Sequence, residues 1–280
     1  MDKMNRRDAF RLASAGLGSL LACGTANAFA ADDQIKQTNP ALTANGCAWK
    51  YAVVDPEKVA KDAYYGYPVG HCMHTVFTAI VQNVAEALME SDPLAANALL
   101  NFPFHMFHYG ASGGNGWGTL CGAVNGSMAA VSLFCASEKT RKAICDDLGN
   151  YYEKTALPIF APEDAEEDDV PQTVAKSVLC HVSVSKWLKE SGARSDSPER
   201  TERCSRLSAD MAKKAVELLN LNFNQLNAED PRPICTIKKG EPEASCVKCH
   251  NKGGTTSDTI IKMTCEECHP GKTVDHSIKK

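Results

Sequence analysis

The sequence predicts an all-α fold, with a helical bundle body over residues 47–222 and a small, irregular C-terminal segment after it. Three observations carry this. Apolar residues recur at helical spacing, as in Val76, Ile80, Val84 and Leu88 with Phe77 and Val81 beside them. No strong alternating run of the strand type appears. From "AEDPRPIC" onward the chain turns to Lys, Gly, Pro and Cys with few large apolar residues, too little to build a core unaided.

Taken in order, the N-terminus reads as a targeting segment over residues 1–30. Arg6 and Arg7 precede an apolar stretch that ends in small residues at Ala28-Phe29-Ala30. The paired arginines resemble a twin-arginine export signal, with an ordinary secretory signal as the alternative. "LLAC" ending at Cys23 is a weak lipid-attachment motif in which Leu21 is bulky where small residues are usual. The apolar run is short for a membrane span, and no other segment approaches that length, so no transmembrane segment is expected after signal removal. The helical body, 31–230, opens on a Pro-broken lead-in. Helices are expected over 72–91, 119–136, about 138–155, 172–191 and 198–220. A glycine-rich break at 110–118 and an acidic linker, "PEDAEEDD", separate them. The last helix starts with Ser197 as cap, Pro198 at its first position and Glu199 suited to the dipole. Its inner stripe is Leu207, Met211, Ala215 and Leu218.

A formal charge of −4 advertises no nucleic-acid surface. Thirteen cysteines, an odd number, exclude complete pairing into disulfides within the chain. Four of them stand in two C-x-x-C-H words in the tail, Cys246, Cys249 and His250, then Cys265, Cys268 and His269. Two thiols so spaced lie on one face of a turn and can add to the two vinyl groups of one haem, while the adjacent His faces the iron. Two copies behind an export signal therefore read as two c-type haems in a segment covering 231–280. The same four cysteines also form C-x₂-C-x₁₅-C-x₂-C, which suits a structural zinc but leaves both histidines without a role. Disulfide exchange lacks a thioredoxin-like strand–helix context. Each haem iron needs a sixth ligand if it is to serve electron transfer. His71 and His74, and His105 and His108, are spaced i,i+3, so each pair would share a helix face. His105 and His108 are favoured, since they lie among Phe102, Phe104, Phe107 and Tyr109, aromatic surface suited to porphyrin. His181 and His276 also remain candidates.

The body cysteines Cys72, Cys121, Cys180 and Cys204 are scattered, and spacing alone says little of them. Their surroundings say more. "GYPVGHCMHTVFTAI", "GASGGNGWGTLCGAVNG", "SVLCHVSVSKWLKESG" and "ERCSRLSADMAKKAVELL" occur in this order. The stretch 60–220 resembles the C_GCAxxG_C_C family, most specifically in "TLCGAVNG" with Cys121, Gly122, Ala123 and Gly126. Joined to two C-terminal C-x-x-C-H words, it resembles dihaem cytochromes of the split-Soret class. That resemblance implies a homodimer with two stacked bis-histidinyl c-type haems per subunit, the second His of each coming from the partner. It also implies an iron–sulfur centre, a [2Fe–2S] cluster, on Cys72, Cys121, Cys180 and Cys204. Cys47, Cys135, Cys145 and Cys235 match nothing in that pattern and read as structural or as a disulfide pair.

The function expected from these readings is an exported, periplasmic electron carrier rather than an enzyme, working with redox partner proteins. The alternatives are a multicofactor reductase with one open iron site, a redox sensor or storage module, and a zinc-binding module. "GASGGNGWG" lacks the spacing and strand context of a nucleotide fingerprint and reads as a turn.

Overall fold

The structure is a computed structural model and describes residues 39–43, 48–163, 170–228, 233–236 and 262–263. Arg6, Arg7, Cys23, Cys47, both C-x-x-C-H words and His276 lie outside the described residues. The described body is helical. Its α-helices are α1 (Pro56–Tyr65), α2 (Tyr67–Leu88), α3 (Pro93–Leu100), α4 (Gly122–Phe134), α5 (Glu138–Lys154), α6 (Cys180–Ser191) and α7 (Pro198–Leu221). Two 3-10 helices, Phe104–Gly110 and Phe223–Gln225, complete the set. Extended pairing among the described residues is confined to three isolated bridges, Leu42–Trp49, Leu120–Leu179 and Leu157–Thr173.

Short polar side chains start most of the helices. Asp55 accepts from the Glu57 N–H at 2.9 Å, Asp92 from Ala95 at 3.1 Å, Ser137 from Thr140 at 3.2 Å and Ser197 from Arg200 at 3.4 Å. Proline stands in the first turn of α1, α3 and α7, where its missing N–H costs nothing. Gly192 ends α6 at φ 70°, the left-handed conformation that glycine adopts without a Cβ clash.

The long helix α2 is the centre of the bundle. It packs against α1, α3, α4, α7 and the 104–110 turn, while α7 also meets α1, α4 and α5. Val76, Phe77, Ile80, Val81, Val84 and Leu88 are all buried, as are Leu207, Met211, Ala215 and Leu218 of α7. Both expected stripes are therefore core.

Three expectations need correction. The helix expected over 172–191 begins at Cys180, because residues 173–179 instead pair with Leu157 on one side and Leu120 on the other. His105 and His108 do share a helix face, but the helix is of the 3-10 type, where i and i+3 are eclipsed, and it is His71 that leaves its pair, at the break in α2. Helices α1 and α3 were not expected; each is about ten residues or fewer, too short for its periodicity to stand out.

The described positions beyond the body are fixed to it. Asn222, fully buried, donates to the Ile234 carbonyl at 3.1 Å and accepts from the Ile234 N–H at 2.7 Å. Asp147 accepts from the Thr236 N–H at 2.7 Å and from its hydroxyl at 3.2 Å. Farther on, Lys262 pairs with Asp146, and the Ser177 hydroxyl donates to the Met263 sulfur at 3.6 Å.

Candidate metal centre

Cys72, Cys121, Cys180 and Cys204 come from four different elements, and the fold brings them together. Every pair among them lies within electrostatic reach. Cys121 is the N-cap of α4, and Cys180 is the first residue of α6. Cys72 directly follows a break in α2, where His71 adopts φ 61° and ψ −168°. Three of the four thiols thus stand at the start of a helical segment, where free N–H groups and the positive end of the dipole favour anionic sulfur. Cys204 lies inside α7.

The local backbone explains this placement. The Cys121 N–H donates to Val178 O at 2.9 Å, and the Cys180 N–H donates to Thr119 O at 2.7 Å. This short antiparallel pairing delivers both cysteines to the same end of the bundle. Glycines supply the clearance. A Cβ at Gly122 would stand 2.4 Å from Cys72 Sγ and 2.6 Å from Gly110 O. At Gly126 it would stand 2.6 Å from Met73 O. Gly113, at φ 69°, would bring a Cβ to 2.8 Å from the Cys180 Cβ. The word "CGAVNG" is thus the face along which α4 approaches α2 closely enough for Cys121 to meet Cys72.

Burial dominates the chemistry of these thiols. It pushes the Cys72 thiol well above its ordinary range, helped by the neighbouring Cys121 and Cys204, with a Ser112 N–H acting against it. Cys180 is pushed up to about 12 by burial and then by Cys121 and Cys204. Burial also raises Cys121. Without a cation Cys72, Cys121 and Cys180 stay protonated at neutral pH; a metal displaces the protons and supplies the charge that burial otherwise forbids.

Two arginines of α7 complete the surroundings. Arg203 is 2% exposed; its Nη1 donates to Cys204 Sγ at 3.7 Å and its Nη2 to Ser183 Oγ at 2.7 Å. Half-buried Arg200 donates to Ser112 Oγ at 3.5 Å. Both Nε atoms are buried without a partner, and among the described residues no carboxylate pairs with either guanidinium. Burial works against each cation, and the nearby thiols and phenols outweigh it, so both hold their protons more tightly than usual. Tyr67 and Tyr152 are buried beside the thiols. Burial first, then thiol charge, keeps both phenols protonated. The sequence reading missed all four residues. Arg200 and Arg203 flank Cys204 at i−4 and i−1, but an arginine on an amphipathic helix reads as solvated face.

The donor set fits an anionic thiolate centre: soft sulfur ligands, cations with no carboxylate ion-paired to them among the described residues, and glycines that keep the approach clear. Among the described residues no three His, Cys, Asp or Glu side chains close to the spacing of a single bound ion.

The histidines fall into two groups. His74, buried on α2, packs its ring on His108 at 4.5 Å, and His108 lies 4.6 Å from His105. The favoured pair and one member of the second pair therefore form a single imidazole cluster. Burial, then His108 and His105, lowers the pKa of His74, and its Nδ1 has no hydrogen-bond partner. His105 is exposed and His108 half-buried. His71 is exposed and stacks edge-on against Tyr67, while His181 is exposed beside Cys180. Cys135 and Cys145 are free thiols and form no disulfide. Cys135 donates to Ser137 O and Leu226 O at 3.4 and 3.5 Å, which ties the end of α4 to the turn after α7.

Fold and thiol set together define a helical redox domain. The model of the family described as "Putative redox-active protein (C_GCAxxG_C_C)" matches residues 71–218, which enclose all four cysteines, and the chain belongs to that family. It is 35% identical over 263 residues to split-Soret cytochrome c of Desulfovibrio desulfuricans (strain ATCC 27774), covering 91% of this chain and 88% of that protein. A solved structure, "A novel iron centre in the split-Soret cytochrome c from Desulfovibrio desulfuricans ATCC 27774", matches with a TM-score of 0.68 at 35% identity. That match covers 80% of this chain and 91% of the other. Among the described residues no helix is long and apolar enough to cross a membrane.

Proposed function

We propose that the protein is an exported, periplasmic electron carrier with two covalently attached c-type haems and one [2Fe–2S] centre per chain. The observation that carries this is the meeting of Cys72, Cys121, Cys180 and Cys204 beside two arginines that have no carboxylate partner. The similarity to a cytochrome with an iron centre supports it, as do the two C-x-x-C-H words. Cys72, Cys121, Cys180 and Cys204 would hold the iron–sulfur group. Cys246 and Cys249, and Cys265 and Cys268, would bind the haems, with His250 and His269 on the irons. Bound there, these groups supply reversible one-electron oxidation and reduction.

The residues of the chain do the rest. The glycines at 113, 122 and 126 let the elements that carry the thiols approach closely, and the buried thiols and Tyr152 lie in a dry interior in which charge is strongly felt. His105 and His108 reach the surface and can present imidazole to a haem of a second subunit in a homodimer. His74, 8% exposed, instead supports them from beneath.

Protein purified from an export-competent, haem-maturing host tests the reading. Intact mass should exceed the apo chain by two haems, denaturing gel bands should keep haem peroxidase activity, and acid-labile sulfide should be present. Cys121→Ser should remove the sulfide and leave the haems. A colourless protein holding one zinc would overturn the haem assignment, and full sulfide in Cys121→Ser would overturn the cluster assignment.

A further inference from the structure

Arg203 is among the largest fully buried side chains of the described residues, yet no carboxylate there meets it. Asp210, two turns farther along α7, feels its charge but spends both oxygens on the N–H groups of Ile159 and Phe160, and a buried cation so thinly compensated is destabilising. One prong of its guanidinium is spent on Ser183 and one reaches Cys204 Sγ, so its position is fixed by donors rather than by a carboxylate. Arg200 lies one helical turn earlier on α7, on the Cys72, Cys180 and Cys204 side, while Arg203 serves Cys204 and Cys121. Between them the two guanidiniums face all four thiols.

We infer that Arg203 and Arg200 are the counter-charges of the thiolate centre: Arg203 permits its assembly in the dry interior, and both set how readily it accepts an electron. The inference rests on the iron–sulfur reading above. A [2Fe–2S] core on four thiolates carries a formal charge of about −2 when oxidised, which two guanidiniums offset. Each electron taken from a one-electron donor adds one negative charge to this site and moves no proton. Removing a guanidinium therefore makes reduction harder. Arg203 also has a shape requirement, because a lysine keeps the charge but cannot span Ser183 and Cys204 with a fixed fork.

The test uses the full-length, haem-loaded protein and three variants, Arg200→Gln, Arg203→Lys and Arg203→Met. Iron, labile sulfide and haem are counted, and the centre is titrated against a reference mediator. In Arg200→Gln, sulfide and both haems should be retained while the equilibrium moves at least about tenfold toward the oxidised centre, which is 59 mV for one electron. Arg203→Lys should keep sulfide with a smaller shift in the same direction. Arg203→Met should lose sulfide and keep both haems. A merely structural arginine would not move the potential in variants that fold and load normally. Full sulfide and unchanged potential in all three variants overturn the inference alone. Wild-type protein without labile sulfide overturns the iron–sulfur reading and the inference with it.

Discussion

At the scale of single residues, the site depends on side chains that are absent as much as on those present. Gly122 is the clearest case, since a methyl group there meets Cys72 Sγ and Gly110 O at once, both well inside van der Waals contact. Gly110 O is backbone and cannot yield, and Cys72 Sγ can yield only by turning away from the other thiols, so either α4 retreats from α2 or the thiol leaves its place. Gly122→Ala should destabilise the protein by about 1–3 kcal/mol, the usual cost of overpacking, and lower labile sulfide in proportion. Thermal unfolding and sulfide analysis check both, and wild-type values in each would show that α4 can yield without harm. The word "CGAVNG" was legible in the sequence as a family mark. Its reason was not, because the atom that forbids a side chain at Gly122 belongs to a residue fifty positions earlier. Arg203 was illegible for the same kind of reason. Its position one turn before Leu207 puts it in register with the inner stripe, but an arginine reads as surface by type, and only its contacts with Ser183 and Cys204 show what the burial is for.

At the scale of elements, legibility followed locality. Helix α7 was readable to its cap, because Ser197, Pro198 and the stripe from Leu207 to Leu218 are all local signals. The stretch 172–179 was misread because its partners, Leu157 and Leu120, are distant in sequence, and pairing with them outweighed helical periodicity. How this part of the fold is held down gives a pH prediction. Asp210 of α7 accepts from the N–H groups of Ile159 at 2.8 Å and Phe160 at 2.9 Å, which fixes the chain just after α5. Burial raises its pKa from 3.8 to about 6, against the pull of those two hydrogen bonds. A carboxyl raised on folding favours the native state below its unfolded value, and that contribution is lost as pH rises through the folded value. Stability should therefore fall by up to about 3 kcal/mol between about pH 4 and pH 6 from this group. Asp210→Asn, which cannot ionise, should flatten that part of the pH–stability profile while losing one acceptor, and an unchanged slope would remove Asp210 as its source. Ser197→Ala offers a pH-independent comparison on the same helix, with an expected cost of about 1 kcal/mol in denaturant unfolding.

At the scale of the whole molecule, the question is what orders a C-terminal segment with too little apolar surface for a core of its own. Part of the answer lies in its own subunit. Asn222 is fully buried and uses both ends of its amide on the backbone of Ile234, which reads main chain rather than any particular side chain. Asp147, 2% exposed, takes the N–H and hydroxyl of Thr236. Lys262 and Met263, just before the second C-x-x-C-H word, meet Asp146 and Ser177. Ser177 belongs to the strap whose next residues lead to Cys180. The Lys262 pair is solvent-exposed on the lysine side and adds little, so the two buried anchors should dominate. Ile234 and Thr236 are exposed and can turn to water, so losing either anchor costs about 0.5–1.5 kcal/mol, the net worth of an ordinary hydrogen bond. Asn222→Ala should release the Ile234 N–H and carbonyl to water, and Asp147→Ala the Thr236 donors. Each variant should keep labile sulfide, since neither residue touches the thiols, while brief protease treatment followed by mass spectrometry should show faster cleavage between residues 229 and 262. The double variant should be cleaved faster than either single one, as expected for two separate attachments. Cleavage at the wild-type rate in the double variant would mean that the segment is held mainly from elsewhere, with the proposed second subunit as the next place to look.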